Sequence, residues 1–309
     1  MALKHLHILY RGPLASCNYR CSYCPFAKRK DTKAVLERDA ASLARFTGWI
    51  EKQEERSFSI LFTPWGEALI RRHYRQAIAG LSWVQHVHQV AIQTNLSCSV
   101  EWMADCNPQA AAFWCTFHPS ETPLAAFLEK CRSMDRLGLR YSVGVVGKRE
   151  HFAAIADLRE ALPPAVYLWV NAFARRAGGY YSPEDIEFLA AMDPLFELNL
   201  AGVRSHGRAC LAGETAIAAD GDGEVRRCHF IVPSIGNLYT PGLEAALRPR
   251  PCPKTACVCH TGYAFMPELG FQSLFGPNLA HRIPCRPLLR EDGWLRVQRQ
   301  RGGGWESRT

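Results

Sequence analysis

Residues 6–24, LHILYRGPLASCNYRCSYC, contain the pattern that decides the fold of this 309-residue chain. The first five are mostly apolar and are typical of a buried strand. Three cysteines follow, Cys17, Cys21 and Cys24, with the spacing C-x3-C-x2-C. Three thiols so close together cannot all pair in disulfides, and such short loops would strain the bond. We therefore interpret the three cysteines as joint ligands of a metal centre.

Outside this stretch, short β-branched or aromatic runs alternate with helix-patterned segments, which is typical of parallel βαβ units. The predicted strands are 6–10, 58–63, 89–94, 112–117, 141–146 and 166–173, and the predicted helices are 39–55, 68–81, 123–137, 149–162 and 182–192. Six units are too few for a closed eight-stranded barrel. We therefore predict an α/β fold, a partial (β/α)6 barrel of the TIM type, with its active site at the carboxyl ends of the strands.

Beyond Leu200 the helical periodicity stops. The segment Asp-Gly-Asp-Gly at 220–223 lies between two apolar runs and predicts a hairpin. We predict a partial barrel over residues 1–200, a small module that contains five cysteines over 201–265 and a C-terminal extension over 266–309. The end of that extension, with Arg299, Arg301 and the glycines 302–304, is interpreted as a solvated, mobile tail.

The composition excludes several classes of protein. A chain that is 48% hydrophobic and 21% charged is an ordinary globular one. No apolar run approaches the roughly 18 residues that a membrane span needs. The net charge is +8, but half of it lies between Arg282 and Thr309, which weakens a nucleic-acid interpretation. Thirteen cysteines cannot pair completely, so we predict reduced thiols and a cytoplasmic location.

The segment 17–24, including Tyr23 before the third cysteine, resembles the signature of radical S-adenosylmethionine (radical SAM) enzymes. The resemblance implies that the three cysteines hold a [4Fe-4S] cluster whose fourth iron binds the amino and carboxylate groups of SAM. An electron then cleaves SAM to methionine and a 5'-deoxyadenosyl radical, which abstracts hydrogen from a substrate. A zinc site would need a fourth Cys or His, and the next sulfur along the chain is that of Cys98.

The same resemblance implies contacts to SAM. The segment Thr-Pro-Trp-Gly-Glu at 63–67 resembles the family's Gly-Gly-Glu-Pro loop, with Trp65 at the first glycine and Ala68 at the proline. Glu67 would face the SAM ammonium, and Gly66 would let the backbone approach closely. Residues at strand ends complete the set. The predicted cofactor-binding residues are Tyr23, Gly66, Glu67, Thr94, Asn95, Ser142 and Asn171.

A second group of cysteines lies in the C-terminal part: Cys210, Cys228, Cys252, Cys257 and Cys259. The segment 210–238 is similar to the short "twitch" form of the family's auxiliary-cluster module. Too few thiols are present for two further clusters, so we infer one auxiliary Fe-S cluster. Cys210, Cys228, Cys257 and Cys259 are the favoured ligands and Cys252 the spare. A zinc knuckle needs the same four thiolates and stays open as the alternative.

The remaining cysteines are isolated and are interpreted as small buried hydrophobic residues. Cys115 could donate a hydrogen atom to a substrate radical, but it faces the helices if Thr116 and His118 face the barrel interior. For His118 a structural role and a substrate contact both stay open.

We therefore expect an oxygen-sensitive enzyme that acts on a peptide or a small metabolite and takes electrons from a reductant such as flavodoxin or ferredoxin. Two alternatives stay open. One is modification of a nucleotide or tRNA, for which the basic tail is the only argument. The other is a non-catalytic Fe-S or zinc-binding electron-transfer protein.

Overall fold

The computed structural model describes residues 4–26, 29–173, 178–276 and 281–285, together with four short strands between 289 and 307. Its first six strands alternate with helices, as the sequence predicts. The strands are β1 (Lys4–Arg11), β2 (Arg56–Phe62), β3 (Val87–Thr94), β4 (Ala111–Phe117), β5 (Arg140–Val146) and β6 (Leu168–Asn171). The helices are α1 (Lys33–Glu51), α2 (Arg72–Ser82), α3 (Leu124–Arg136), α4 (Phe152–Ala161) and α5 (Pro183–Met192).

Local signals in the sequence explain two helix starts. The side chain of Thr32 accepts a hydrogen bond from the Val35 N–H, so α1 begins six residues before its predicted start. Ser182 and Asp185 form a reciprocal capping box ahead of α5, with Pro183 at the first helical position.

The chain after α5 consists of short elements. They are α6 (Phe196–Ala201), β7 (Val203–Arg204), β8 (Ala216–Asp220), β9 (Glu224–Arg226), β10 (Ser234–Asn237), α7 (Leu243–Ala246), β11 (Ala256–Cys257), α8 (His260–Tyr263) and α9 (Phe271–Phe275). Four strands follow, β12 (Leu289–Arg290), β13 (Gly293–Trp294), β14 (Val297–Arg299) and β15 (Trp305–Ser307), in two antiparallel pairs. Residues 300–304, part of the tail predicted to be mobile, lie outside the described residues.

The chain divides into two compact units. The first unit contains residues 1–115, 129–140 and 211–250, and the second contains 116–128, 141–210 and 251–309. These units do not test the predicted domain bounds at 200 and 265, which stay a prediction.

In the first unit, β1, β2, β3 and β4 pair in parallel in chain order. Their carboxyl ends therefore lie at one edge of the sheet, where the loops that follow β1, β2 and β3 begin. The core against α1 is aromatic, since the rings of Tyr10 and Phe46 stack with their centroids 4.3 Å apart. In the second unit, β5 pairs in parallel with β6.

The hairpin predicted at 220–223 is confirmed, because β8 and β9 pair antiparallel around it. The sequence did not predict that β8 also pairs in parallel with β1. The β8 side chains are mostly alanine, which carries little strand propensity, and so the strand depends on its neighbour. This pairing places the hairpin beside the loop that follows β1.

Within the described part of the chain, no helix is long and apolar enough to cross a membrane.

Candidate functional site

The three cysteines of the predicted cluster signature lie in one loop, which we call the cluster loop (residues 12–26). Cys21 is buried, and Cys17 and Cys24 are half-buried. The Cys24 N–H donates to the Cys21 carbonyl at 3.1 Å, and the Tyr19 N–H donates to Cys17 Sγ at 3.4 Å. Burial raises the pKa of the Cys17 thiol, although the Tyr19 N–H opposes that effect.

Two aspartates hold the start of this loop. Asp39 Oδ1 accepts the Leu14 N–H at 3.1 Å, and Asp31 Oδ2 accepts the N–H groups of Ala15 and Ser16 at 2.9 and 2.7 Å. Burial alone would raise the pKa of Asp31, but the hydrogen bonds from Ser16 and Ala15 outweigh it and leave the pKa below its usual value. Three successive backbone N–H groups are thus fixed immediately before Cys17.

Asp39 is itself part of a buried network. Its side chain is fully buried, and it also accepts hydrogen bonds from Tyr74 Oη at 3.1 Å and from His73 Nε2 at 2.9 Å. Sequence reasoning missed Asp39, although a signal was present. The buried positions Asp39, Leu43, Phe46 and Ile50 recur at helical spacing along α1, so a carboxylate occupied the apolar stripe.

The loop after β2 packs directly on the cluster loop. The Glu67 N–H donates to the Ser16 carbonyl at 3.1 Å. A Cβ atom at Gly66 would lie 1.8 Å from that same carbonyl oxygen, so only glycine fits there. Trp65, which departs from the family pattern, has a 40% exposed side chain. The backbone contact therefore requires glycine at position 66, whereas at position 65 the surface leaves room for a tryptophan side chain.

The Glu67 carboxylate joins the ends of two strands. Oε1 accepts hydrogen bonds from the Leu69 N–H at 2.9 Å and Thr94 Oγ1 at 2.8 Å, and Oε2 accepts the Asn95 N–H at 2.6 Å. The side chain is 2% exposed, and burial raises its pKa while these hydrogen bonds oppose the rise. Glu67, predicted from one motif, and Thr94 and Asn95, predicted from another, are thus brought together.

Asn95 connects this network to the cluster loop. Its Nδ2 donates to Cys17 Sγ at 3.7 Å and to Asn18 Oδ1 at 3.3 Å. The backbone beyond it is held by Lys130, whose Nζ donates to the carbonyls of Leu96 and Ser97 at 2.8 Å each. Sequence reasoning did not find Lys130, because a lysine on a helix is usually solvated.

The other predicted cofactor contacts have different surroundings. Tyr23 is half-buried in the cluster loop. Ser142 and Asn171 belong to the second unit. The Ser142 hydroxyl is fully buried, accepts from Trp169 Nε1 at 3.3 Å and donates to the His281 carbonyl at 3.4 Å. Asn171 is half-buried at the end of β6. The cofactor roles of all three stay predictions.

Four of the five isolated cysteines, Cys98, Cys106, Cys115 and Cys131, are buried, whereas Cys285 is exposed. Burial, with Cys131 as the next contributor, raises the pKa of the Cys115 thiol. Cys115 therefore has the surroundings of a small hydrophobic residue. His118 is half-buried, and burial followed by His151 lowers its pKa to about 4. At neutral pH its imidazole is uncharged.

All thirteen cysteines lie in the described part of the chain, and none of them is in a disulfide. Among the described residues, no three Cys, His, Asp or Glu side chains are already arranged as a metal site. The donor set of the cluster loop nevertheless fits an iron-sulfur cluster. Cysteine thiolates are the ligands that such clusters take, and two N–H groups already point at Cys17 Sγ, where hydrogen bonds to sulfur help to set the reduction potential of a bound cluster.

The second group of cysteines is divided between the units. Cys228 belongs to the first unit, and Cys210, Cys252, Cys257 and Cys259 belong to the second. Cys252 exchanges backbone hydrogen bonds with Gly207 and Arg208, and Cys257 lies on β11. Their role as ligands of an auxiliary cluster stays a prediction.

Two solved structures share the fold of this chain. Native anSMEcpe with bound AdoMet is 13% identical, has a TM-score of 0.50, and the match covers 78% of this chain and 83% of that one. The histidine-tagged form with bound AdoMet is also 13% identical, with a TM-score of 0.51, and the match covers 79% and 80%. No family model matches the chain. No curated protein matches it either.

These matches confirm the predicted fold class. The chain has an α/β fold with six parallel strands and a small C-terminal module, like the fold of these two structures.

Proposed function

We propose that this chain is a radical SAM enzyme. It would reductively cleave SAM to methionine and a 5'-deoxyadenosyl radical, which takes a hydrogen atom from a substrate and becomes 5'-deoxyadenosine. The proposal rests on one observation. The cluster loop, the 66–67 segment and the 94–95 segment were predicted from separate motifs, and hydrogen bonds join all three in the first unit.

Cys17, Cys21 and Cys24 would hold a [4Fe-4S] cluster, which when bound supplies the electron for SAM cleavage. Asp31 and Asp39 keep the loop before Cys17 in place through the N–H groups of Leu14, Ala15 and Ser16. Because this backbone is already fixed, less conformational entropy would be lost when the three cysteines bind iron.

Glu67 would receive the ammonium group of SAM. A carboxylate offers about four lone-pair positions, and three of them accept the hydrogen bonds described above. These three bonds also fix the orientation of the carboxylate. Because the side chain is almost fully buried, a cation that reaches it is attracted more strongly than it would be in water.

The substrate would be a peptide or a small metabolite, and the electron would come from a reductant such as flavodoxin or ferredoxin. A single auxiliary Fe-S cluster would occupy four of the five cysteines of the second group.

The test is anaerobic reconstitution with iron and sulfide, reduction with dithionite, and mass spectrometry for 5'-deoxyadenosine after SAM is added. We expect 5'-deoxyadenosine from the native chain and none from Cys21→Ser. Cys285→Ser removes an exposed thiol outside both groups and should match the native chain. The proposal would be contradicted if the cluster loop bound zinc in place of iron. It would also be contradicted if the iron-loaded, reduced protein left SAM intact.

A further inference from the structure

The turn that follows β3, residues 94–97, contains a residue in a backbone conformation that side chains rarely adopt. Leu96 has a φ of 54°, in the left-handed region that favours glycine, and its side chain is buried. A strained residue of this kind persists only where its surroundings hold it in place, and such residues are often found at functional sites. The strain at Leu96 therefore directs attention to what this turn positions.

Four hydrogen bonds hold the turn. The Leu96 N–H donates to Thr94 Oγ1 at 2.9 Å. The Ser97 N–H donates to Asn95 Oδ1, also at 2.9 Å. The ammonium group of Lys130 donates to the carbonyls of Leu96 and Ser97. The backbone on both sides of Asn95 is thus fixed, so its side chain projects from a defined place.

The orientation of the Asn95 amide follows from its partners. Because Oδ1 accepts the backbone N–H of Ser97, the other end of the amide is the NH2 group. This group has two hydrogens and two acceptors within reach, Asn18 Oδ1 at 3.3 Å and Cys17 Sγ at 3.7 Å. The turn therefore supplies a hydrogen-bond donor to the sulfur of Cys17, which lies 78 residues away along the chain.

A donor at this sulfur has an electrostatic effect of known sign. A reduced cluster and its thiolates carry one more negative charge than the oxidised form, so an N–H group aimed at a thiolate stabilises the reduced form more. Because Asn95 is buried, water screens its N–H dipole little. The hydrogen bond should therefore raise the reduction potential.

We propose that Asn95 is a positioning residue that acts through the Cys17 sulfur and makes a [4Fe-4S] cluster at the cluster loop easier to reduce. The affected step is the uptake of one electron from the reductant, and no bond of the protein forms or breaks in it. This inference rests on the proposed function, since it requires the cluster. It differs from the SAM contact that the resemblance implies for Asn95, because the effect is present before SAM binds.

The test is a redox titration of the reconstituted full-length chain without SAM, followed by electron paramagnetic resonance. Asn95→Leu removes the donor and adds no charge. We expect its midpoint potential to be lower, so that the ratio of reduced to oxidised cluster at a fixed applied potential is about tenfold smaller, or about 59 mV for one electron. An unchanged midpoint potential in Asn95→Leu would overturn the proposal.

Asn107→Leu is the matched control. Asn107 Oδ1 accepts the Gln109 N–H at 3.0 Å, the same kind of turn bond that Asn95 makes. Asn107 precedes β4, whereas the cluster loop follows β1, so the two lie at opposite edges of the parallel sheet. The control should keep the native midpoint potential. If its potential falls as far as that of Asn95→Leu, the loss of a turn bond explains both shifts and the proposal is wrong.

A spectroscopic measurement identifies the donor. With asparagine side chains labelled with ¹⁵N, pulsed electron paramagnetic resonance of the reduced native chain should show a weak nitrogen coupling that Asn95→Leu lacks. A coupling that persists in the variant belongs to another asparagine and would overturn the proposal. Should Asn95→Leu not fold, Asn95→Asp replaces it, because aspartate keeps the acceptor for the Ser97 N–H and loses the donor.

The two proposals can fail separately. A native chain that forms no [4Fe-4S] cluster would contradict the proposed function and this inference with it. A native chain that binds the cluster and cleaves SAM, but has the same midpoint potential as Asn95→Leu, would contradict this inference alone.

Discussion

The two cysteine-rich regions of this chain differ in how far the protein alone organises them. In the cluster loop, all three cysteines belong to one short segment whose backbone is held by Asp31, Asp39 and the 66–67 segment. In the second region, Cys228 and the other four cysteines belong to different compact units. Closely spaced ligands can be arranged by local hydrogen bonds, whereas widely spaced ones depend more on the metal itself.

The sharpest contrast should appear in iron content and SAM cleavage. We expect Cys21→Ser to abolish formation of 5'-deoxyadenosine, because it removes a ligand of the only cluster that would bind SAM. Cys228→Ser should leave the signature cluster in place and lower the iron content from about eight to about four per chain. The measurements are iron and sulfide analysis and a 5'-deoxyadenosine assay. If Cys228→Ser contains as much iron as the native chain, Cys228 is not a ligand. If the native chain itself binds only about four irons, there is no auxiliary cluster.

The contact between the Gly66 segment and the cluster loop should be intolerant of any side chain. Gly66→Ala places a Cβ 1.8 Å from the Ser16 carbonyl oxygen, so one of the two backbones must move, at a cost of about 3 kcal/mol. The control is Gly48→Ala in α1, where a Cβ meets nothing within 4 Å. That change should stabilise the fold by about 0.5–1 kcal/mol, because alanine favours the helix. Urea unfolding measures the stability of both variants. If Gly66→Ala and Gly48→Ala are equally stable, the backbone contact at Gly66 is not rigid.

The buried carboxylate of Asp39 should matter more than a surface one. Asp39→Asn puts an NH2 group in place of one of the two buried oxygens that accept its three hydrogen bonds and removes the charge that strengthens them, so it should destabilise the chain by about 1–3 kcal/mol. Glu129→Gln, which removes an exposed charge beside two arginines, is the matched control and should change stability little. If both variants unfold at the same urea concentration, Asp39 does not stabilise the loop.

The smallest effect concerns pH. The pKa of Asp31 is lower in the folded chain than its usual 3.8, so its ionised form favours the folded state. This contribution is present above about pH 4 and is lost as the pH falls through the lowered value. The stability difference between the native chain and Asp31→Asn should therefore be larger at pH 6 than at about pH 3. A difference that stays constant over this range would show that the charge of Asp31 is not involved.

Much of the fold could be predicted from sequence. Alternating apolar runs predicted the six parallel strands and five helices, because each strand here is buried along most of its length. The pairing of β8 with β1 could not be predicted, since five residues dominated by alanine carry little pattern of their own.

For the candidate site, spacing alone singled out the three cysteines, and the resemblance to the family's motifs singled out Gly66, Glu67, Thr94 and Asn95. The structure brings these segments together by hydrogen bonds, and their cofactor roles stay predictions. Such motifs can be predicted from the sequence because their functional residues lie close together along the chain. Only the tertiary structure decided which groups support them: Asp31, Asp39 and Lys130 lie 14, 22 and 113 residues from Cys17 along the chain, and no local pattern links them to it. These three side chains form hydrogen bonds with backbone N–H and carbonyl groups, which need partners once they are buried. Which side chain becomes the partner depends on how the chain folds.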